Sequence, residues 1–244
     1  MEQEKTALSL AGRVAIVTGA SQGIGAATAQ VLAEQGAHVA IVARSADLLQ
    51  LVAEELRHLG GNVTPLVADI ADPAAVTQIF AQVAATLGPC DILINAAGQV
   101  ENVPFIDMDL AAWDRVMNTN LRGLMLCCQG AFRQMATHGG GTIVNFSSLA
   151  GVKNVEKFPG LSAYVASKFG VAGLSEALAV EGKPMGIRVL AVSPGAVATP
   201  MLQRAAPHLR PGMTALDLAH IVAFLVSDAG RFLNGTNLEI FSNE

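Results

Sequence analysis

The stretch Thr18-Gly19-Ala20-Ser21-Gln22-Gly23-Ile24-Gly25 stands between a β-branched apolar run, Arg13 to Thr18, and a helix-forming segment, Ile24 to Gln35. Glycines here permit a tight turn and let the backbone approach a ligand closely. The start of the helix would offer unpaired N–H donors to an anion. A plain turn is the alternative, because the spacing is G-x-x-x-G-x-G rather than G-x-G-x-x-G. We interpret the stretch as a dinucleotide-binding turn, with these residues at the pyrophosphate: Gly19, Ser21, Gln22, Gly23, Ile24 and Gly25.

The alternation of short apolar runs with helical segments continues along the chain. Further strands are predicted at His38–Val42, Val63–Val67, Ile92–Ile94, Thr142–Phe146, Ile187–Val192 and Leu238–Phe241. The helices between them are predicted at Leu48–Leu59, Ala74–Leu87, Leu110–Thr137, Ala163–Glu181 and Leu216–Val226. Such alternation indicates a parallel sheet covered by helices on both faces. We predict an α/β fold of the Rossmann type, a doubly wound parallel seven-stranded sheet, as one domain over residues 1–244.

Two segments fall outside this alternation. Residues 1–11 are predicted to form a short tail. Residues 193–214 contain four prolines, two glycines and three basic or histidine residues. Because irregular connections of this length are often lids or binding loops, we expect residues 193–214 to be a substrate lid.

Composition and charge exclude several classes of protein. The chain is 52% hydrophobic and 14% charged, which suits a large buried core. No apolar run reaches ~18 residues without a break, so we expect no membrane span. The N-terminus lacks the basic-then-apolar layout of a signal peptide. The net charge is −5 and no basic cluster is present, so nucleic acid is not an expected partner.

Cysteine and histidine usage bears on location and metal binding. An odd number of cysteines, two of them adjacent, suits neither a disulfide framework nor zinc spacing: Cys90, Cys127 and Cys128. The five histidines include no pair with metal-ligand spacing. We therefore expect no metal site, and a cytoplasmic enzyme or binding protein with buried, reduced thiols.

The end of the second strand bears on which dinucleotide would bind. NAD-specific folds usually place an acid there for the ribose hydroxyls. This chain has Ala43-Arg44-Ser45 instead, and a guanidinium can hold a 2′-phosphate. We predict NADP(H) in preference to NAD(H), with Arg44 and Ser45 at the phosphate; a solvated loop charge is the alternative for Arg44. Asp69 and Ile70, after the third strand, are candidates for the adenine, although aspartate is also a common helix cap.

Small and polar residues end the remaining strands. Since the carboxyl ends of parallel strands share one edge of a sheet, we expect these residues to lie together and to contact the cofactor. Within the long helix, Asn120 is unfavourable for a helix interior, which suggests a specific role. The strand-end residues are Asn95, Ala96, Ala97 and Gly98, then Ser147 and Ser148, then Pro194 and Gly195, followed by Val197 and Thr199.

Tyr164 and Lys168 are four residues apart in a predicted helix, so their side chains share one face. A free tyrosine titrates near pH ~10, and an adjacent ammonium favours the phenolate and lowers its pKa. Reaching pH ~7 would take roughly 4 kcal/mol, so a second positive charge, such as an oxidised nicotinamide, should lie nearby. A core tyrosine beside a snorkelling lysine is the alternative.

Taken together, these motifs resemble the short-chain dehydrogenase/reductase family from about Gly12 to Thr236. The resemblance is carried by the glycine stretch, Asp69, Asn95-Ala96-Ala97-Gly98, Asn120, Ser148, Tyr164 with Lys168, and Pro194-Gly195 with Thr199. Ser148 is favoured over Ser147 because Ser148-Leu149-Ala150-Gly151 matches the family pattern Ser-x-x-Gly.

The resemblance implies roles for four catalytic residues. Tyr164 would protonate the carbonyl oxygen as hydride arrives, and Ser148 would hydrogen-bond that oxygen. Lys168 would hold the nicotinamide ribose and lower the pKa of Tyr164. Asn120 would hold a water that connects Lys168 to solvent. Tyr164 and Lys168 thus also count as cofactor-binding residues, and Thr199 with the backbone near Pro194 would contact the carboxamide.

The chain departs from the family pattern in several places. The connection from Ser148 to Tyr164 is longer than usual, and the segment after Thr199 is shorter. Leu190 replaces a common asparagine, and Phe241-Ser242-Asn243-Glu244 replaces the usual Asp-Gly-Gly near the end. These departures weaken any transfer of substrate identity and of the family's tetramer contacts.

We expect an NADP(H)-dependent reductase of a ketone or 3-oxoacyl-type substrate. Alternatives are an alcohol or sugar dehydrogenase acting oxidatively and a non-catalytic dinucleotide-binding regulator. Mainly apolar predicted pocket walls favour a substrate with an apolar body. On the predicted lid, Arg204, His208 and Arg210 would contact an anionic tail of the substrate; solvent-exposed loop charges are the alternative.

Excess apolar residues on the two long helices favour a homodimer or homotetramer: Leu124, Met125, Leu126, Val171, Ala172, Leu174, Ala177 and Leu178.

Overall fold

The computed structural model describes residues 8–241. Residues 1–7 of the predicted tail and 242–244 of the altered C-terminus lie outside this range. Within the predicted tail, Leu10 is buried against the main core, and its N–H donates to the carbonyl of Gln35 at 2.9 Å. Leu10 therefore anchors the end of the predicted tail to the fold, while its neighbours Leu8, Ser9 and Ala11 are exposed.

Nine strands and eight helices alternate over the described residues. The strands are β1 (Val14–Thr18), β2 (His38–Ala43), β3 (Asn62–Val67), β4 (Ile92–Asn95), β5 (Gly141–Phe146), β6 (Ile187–Pro194), β7 (Val197–Ala198), β8 (Met213–Thr214) and β9 (Asn237–Ile240). The helices are α1 (Gly23–Glu34), α2 (Ala46–His58), α3 (Pro73–Thr86), α4 (Leu110–Met117), α5 (Leu124–Met135), α6 (Ser162–Gly182), α7 (Pro200–Ala205) and α8 (Ala215–Val226).

Seven of these strands form one parallel sheet in the order β3-β2-β1-β4-β5-β6-β9. Alternate residues of each strand face opposite sides, so Ala15 and Val17 join one core and Val14 and Ile16 the other. Helices α1, α2 and α8 cover the first side, and α3, α5 and α6 the second. The predicted Rossmann-type sheet is confirmed. The order of the strands along the chain reverses between β1 and β4. Such folds bind ligands in the crevice at this point, outside the carboxyl ends of the strands.

Two sequence predictions differ from the structure. The helix predicted over Leu110–Thr137 is interrupted by a π-helical turn, Asn118–Gly123, that separates α4 from α5. Such turns hold one extra residue and are frequent at functional sites. The lid, predicted as irregular, contains α7 and a two-stranded pairing of β7 with β8. None of the helices within residues 8–241 is long and apolar enough to cross a bilayer.

Candidate active site

The glycine turn between β1 and α1 leaves no room for side chains. Gly19 has a φ of +69°, and a Cβ there would lie 2.6 Å from the backbone of Ala97. A Cβ on Gly25 would collide with the carbonyl oxygen of Gly19. Thr18 accepts a hydrogen bond from the Ala97 N–H at 3.2 Å, which fixes the turn against the end of β4. The glycines are therefore required by close backbone packing.

The first turn of α1 has the properties of an anion site. Its N-cap, Gln22, is extended and makes no side-chain capping bond, and the first turn holds no acid. Opposite it, the Thr199 methyl group lies 3.3 Å from where a Cβ of Gly23 would stand. Uncapped N–H groups beside glycines fit a pyrophosphate. These residues thus match the dinucleotide that the fold implies.

The ends of β2 and β3 bring Arg44 and Asp69 together. An Arg44 guanidinium nitrogen lies 3.8 Å from an Asp69 carboxylate oxygen, with the two side chains 61% and 44% exposed. So long and exposed a contact leaves the guanidinium available to a ligand. The cap of α3 is Asp72, whose carboxylate accepts from the Ala74 N–H at 2.9 Å, so Asp69 does not fill that role. Nearby Ile70 is buried, and Ser45 precedes α2 without a capping bond.

A buried polar chain joins β4, β5 and α6. The Asn95 amide donates to Asn145 at 2.8 Å, and the Asn145 amide donates to the Ser175 hydroxyl at 2.9 Å. The Asn95 side chain therefore bridges the neighbouring strands β4 and β5. Asn145 and Ser175 were missed by the sequence reasoning, although an asparagine inside an otherwise apolar strand is a signal that could have found them.

Asn120 occupies the π-helical turn and is fully buried. Its side-chain oxygen accepts from the Gln99 N–H at 2.7 Å, and its amide donates to the Gln99 carbonyl at 2.8 Å and the Ser167 hydroxyl at 3.0 Å. The amide thus ties the loop after β4 to α6, which accounts for an asparagine inside a helix. Its role in holding a water stays a prediction.

The predicted residues from β4, the π-helical turn and α6 converge at Gly98. A Cβ placed there would lie 3.8 Å from the Asn120 side-chain oxygen and 4.0 Å from the Lys168 ammonium. It would also lie 3.6 Å from the terminal methyl of Met201 on α7. The sequence reasoning did not single out Met201, which brings the lid helix over the same point.

Burial dominates the electrostatics of Lys168 and Tyr164. Lys168 is 5% exposed, and its ammonium donates to the Phe146 carbonyl at 2.7 Å. Burial lowers its pKa to about 8. The ammonium lies 5.5 Å from the centre of the Tyr164 ring. Burial also raises the pKa of Tyr164, and a hydrogen bond with Ser148 partly opposes that rise. Desolvation sets this direction. The lowering predicted from the lysine spacing involves a second positive charge, such as an oxidised nicotinamide, and stays a prediction.

The adjacent serines at the end of β5 point to different partners. The Ser147 hydroxyl is buried and donates to the Lys168 carbonyl at 2.8 Å. The Ser148 oxygen accepts from the Ala150 N–H at 3.1 Å and opens the 3₁₀ turn Leu149–Gly151. Ser148 also opposes the rise in the pKa of Tyr164, so it is the serine on the side of the phenol.

The end of β6 faces the glycine turn. The Gly195 N–H donates to the Ile240 carbonyl at 2.9 Å, which holds this end of β6 beside β9. Pro194 and Val197 are buried. The Thr199 oxygen caps α7 through the Leu202 N–H at 3.2 Å, so Thr199 is a helix cap as well as a neighbour of Gly23.

Comparison with known proteins identifies relatives along nearly the whole chain. The chain is 40% identical to a cis-4-hydroxycyclohexanecarboxylate dehydrogenase of Sinomonas cyclohexanicum, with 95% of this chain and 96% of the relative covered. It is 38% identical to a D-threitol dehydrogenase of Mycolicibacterium smegmatis, at 95% and 92% coverage. It is 35% identical to a 3-oxoacyl-(acyl-carrier-protein) reductase of Staphylococcus aureus, at 93% and 95% coverage.

Solved structures and a family model agree with these relatives. A short-chain dehydrogenase/reductase from Mycobacterium marinum superposes with a TM-score of 0.92 at 34% identity, covering 97% of this chain and 96% of that one. A candidate NAD(P)-dependent gluconate 5-dehydrogenase from Beutenbergia cavernae, with bound NADP at low occupancy, gives 0.89 at 33% identity, with 97% and 98% covered. The family model for short chain dehydrogenase matches residues 13–210. The chain therefore belongs to the short-chain dehydrogenase/reductase family of oxidoreductases.

Proposed function

We propose that this oxidoreductase uses NADP(H) to reduce a carbonyl to an alcohol, with Tyr164 as the proton donor. The observation that carries the proposal is the meeting of Ser148, Tyr164 and Lys168 beside a glycine turn that fits a pyrophosphate. When bound, the nicotinamide supplies the hydride. The Tyr164 hydroxyl delivers a proton to the carbonyl oxygen, Ser148 holds that oxygen, and Lys168 holds the ribose.

The protonated form of Tyr164 is the one that a reduction needs, because the carbonyl oxygen takes up a proton as hydride arrives. Burial raises the pKa of Tyr164, which favours this protonated form. Oxidation would instead need the phenolate, and so a nearby positive charge such as an oxidised nicotinamide. The Lys168 amine, with its pKa lowered to about 8, is mostly protonated at neutral pH and supplies one such charge.

An oxidative role on an alcohol is the second candidate. Two relatives at 40% and 38% identity bear the names of dehydrogenases that act on a cyclic hydroxy acid and on a polyol. The same three side chains serve either direction, because the proton path is reversible. A 3-oxoacyl thioester is a further candidate substrate, from the relative at 35% identity.

NADPH consumption against ring ketones, 3-oxoacyl thioesters and keto-sugars tests the proposal, alongside alcohol oxidation with NADP⁺. We expect turnover that falls roughly 10²–10⁴-fold in Tyr164→Phe, the usual size of an acid–base contribution. NADPH binding by fluorescence should persist in that variant. Full turnover by Tyr164→Phe, or no turnover of any carbonyl or alcohol by wild type, would count against the proposal.

The preference for NADP(H) rests on Arg44 and Ser45 at the end of β2, and a relative's structure with NADP supports it. Charge-assisted hydrogen bonds to a 2′-phosphate imply a tenfold to hundredfold loss, roughly, of NADPH affinity in Arg44→Ala, with NADH affinity unchanged. Arg133→Ala on α5 is the matched control for loss of an exposed arginine. Equal NADH and NADPH affinities in the wild-type protein would contradict this preference.

We also propose a homo-oligomer, a dimer or a tetramer. An apolar groove opens between the π-helical turn, α5 and α6, lined by Met117, Asn118, Leu121, Arg122, Met125, Gly170 and Leu174. Exposed grooves of this kind on a soluble fold favour a protein partner. A second copy is the simplest occupant, since a two-fold axis would pair identical helices.

The cysteines support a cytoplasmic location for this enzyme. Cys90, Cys127 and Cys128 are free and buried. Burial raises the pKa of each thiol, to about 12 for Cys128, so none is poised for disulfide exchange. Free thiols of this kind are usual in reducing compartments.

A further inference from the structure

The two segments that flank the catalytic residues concentrate positive charge. Residues 149–163 and the lid 193–214 together hold two lysines, two arginines and one glutamate, a formal charge of +3 with histidine neutral. The whole chain carries −5. We call the four cations the cationic rim: Lys153, Lys157, Arg204 and Arg210.

The cationic rim is not neutralised by neighbouring acids. Within residues 8–241, every ion pair lies elsewhere, joining Arg13 with Asp91, Arg44 with Asp69, and Arg115 with Glu101. Uncompensated charge of one sign around an opening raises the local concentration of oppositely charged ligands. The rim therefore favours an anion at the substrate entrance.

Lys157 holds its charge next to the catalytic serine. Its ammonium donates to the Val152 carbonyl at 2.6 Å and to the Leu149 carbonyl at 3.2 Å, and Leu149 directly follows Ser148. An ammonium has three N–H donors, and the two carbonyls take two of them. The ammonium also lies 5.4 Å from the centre of the Phe169 ring. The lengthened loop after Ser148 thus holds a cation against the backbone that directly follows this serine.

The lid places a second cation on the same side. The Phe158 and His208 rings meet edge to face, with centroids 5.9 Å apart, which joins the loop to the lid. On α7, the Met201 methyl group and the Lys168 ammonium both lie within 4.0 Å of the position that a Cβ on Gly98 would take. Arg204 is three residues further along α7 and so shares the face of Met201.

We propose that the substrate carries a carboxylate, bound by Lys157 and Arg204 at the rim while its carbonyl or alcohol carbon reaches Tyr164. The substrate class is then an oxo or hydroxy acid with an apolar body. A guanidinium can donate hydrogen bonds to both carboxylate oxygens, and an ammonium supplies a compact second positive charge. This inference rests on the proposed function and names its substrate class.

Paired substrates test this inference in the NADPH-bound enzyme. The pair is a ring ketone that bears a carboxylate and the same ketone as its primary amide. We expect kcat/KM to favour the acid by about tenfold or more, and salt to shrink that preference. Lys157→Gln and Arg204→Gln should each lose most of the preference, chiefly by raising KM for the acid. Lys183→Gln is the matched control, since Lys183 is exposed and precedes β6 at the opposite edge of the sheet.

The amide separates charge recognition from a structural role of Lys157. If Lys157 only braced the turn after Ser148, Lys157→Gln would slow acid and amide equally and the inference would fail. Lys157→Arg should retain the preference for the acid. Equal use of acid and amide by the wild-type enzyme, with turnover present, would overturn this inference and leave the reductase proposal standing.

A binding measurement decides the case in which no ketone is turned over. That outcome refutes the proposed reduction. Calorimetry with NADPH present then compares the affinities of cyclohexanecarboxylate and cyclohexanecarboxamide, which tests carboxylate binding at the cationic rim without turnover. Tighter binding of the acid, lost in Lys157→Gln, supports the carboxylate site, and equal binding of the two refutes it.

Discussion

Ser147 and Ser148 are adjacent in sequence yet differ in what they contact. Ser147 donates to the Lys168 carbonyl inside the core, and Ser148 acts on the pKa of Tyr164. We expect Ser148→Ala to lower kcat roughly 10²–10³-fold, the usual loss for a group that stabilises the reacting oxygen. Ser147→Ala should keep most activity and lose about 1 kcal/mol of unfolding free energy. Steady-state kinetics and urea unfolding of both variants check this, and the reverse pattern would assign the catalytic role to Ser147.

Lys168 should make stability depend on pH. Burial lowers its pKa to about 8, so the unfolded state binds more protons above that pH. Stability then rises as pH rises from about 8 towards the unfolded pKa of ~10.4. Between pH 7 and 9.5 the gain is about 2 kcal/mol.

Lys168→Met should lack that rise. Urea unfolding of both proteins at pH 7, 8 and 9.5 measures the difference in slope. The raised pKa of Tyr164 makes stability fall as pH rises, but only above the ordinary tyrosine pKa of ~10, which lies outside this range. Parallel curves for the two proteins would mean that the ammonium is better solvated than its burial implies.

At the scale of elements, the glycine turn joins β1 and α1 to the end of β4. A methyl group on Gly25 would collide with the Gly19 carbonyl, so Gly25→Ala should displace the turn. We expect NADPH affinity to fall at least tenfold, roughly one charge-assisted hydrogen bond, along with a lower melting temperature. Gly173→Ala in α6 is the control, because its added methyl would meet open space and should stabilise the helix by up to about 1 kcal/mol. Unchanged NADPH binding in Gly25→Ala would contradict a pyrophosphate at this turn.

The polar chain through Asn145 couples three elements inside the core. Asn145→Ala would leave the Asn95 amide and the Ser175 hydroxyl without this partner. We expect a loss of roughly 2–3 kcal/mol in unfolding free energy, measured by urea unfolding. Asn62→Ala, on an exposed part of β3, should cost less than about 1 kcal/mol. Similar losses in the two variants would show that the buried hydrogen bonds of Asn145 contribute little to stability.

The helix pattern over residues 110–137 illustrates the limit of periodicity at this scale. The pattern predicts helix correctly on both sides of Asn120 and does not reveal the π-helical turn. The turn depends on the Gln99 backbone, which lies 21 residues earlier in the chain. Partners so distant in sequence do not enter a local pattern.

For the whole molecule, the groove beside α5 and α6 is the expected contact between copies. Met125 in that groove is 37% exposed. Met125→Glu would bury a charge in the interface, so we expect it to dissociate the oligomer at micromolar concentration. Light scattering measures the mass. Leu51→Glu on α2, over the opposite face of the sheet, is the control and should leave the mass unchanged. A monomeric wild-type protein would refute the oligomer.

The amino-acid sequence by itself determined the parallel Rossmann-type sheet and the family. The period of its apolar runs specifies strands and helices locally, and the glycine turn and strand-end residues stand in a fixed order. Only the tertiary structure decided that the Ser147 hydroxyl bonds the Lys168 carbonyl, and that Asn145 links Asn95 to Ser175 by hydrogen bonds. It also decided that burial raises the pKa of Tyr164 and lowers that of Lys168. These properties depend on burial and on partners distant in sequence, which only the packed chain brings together.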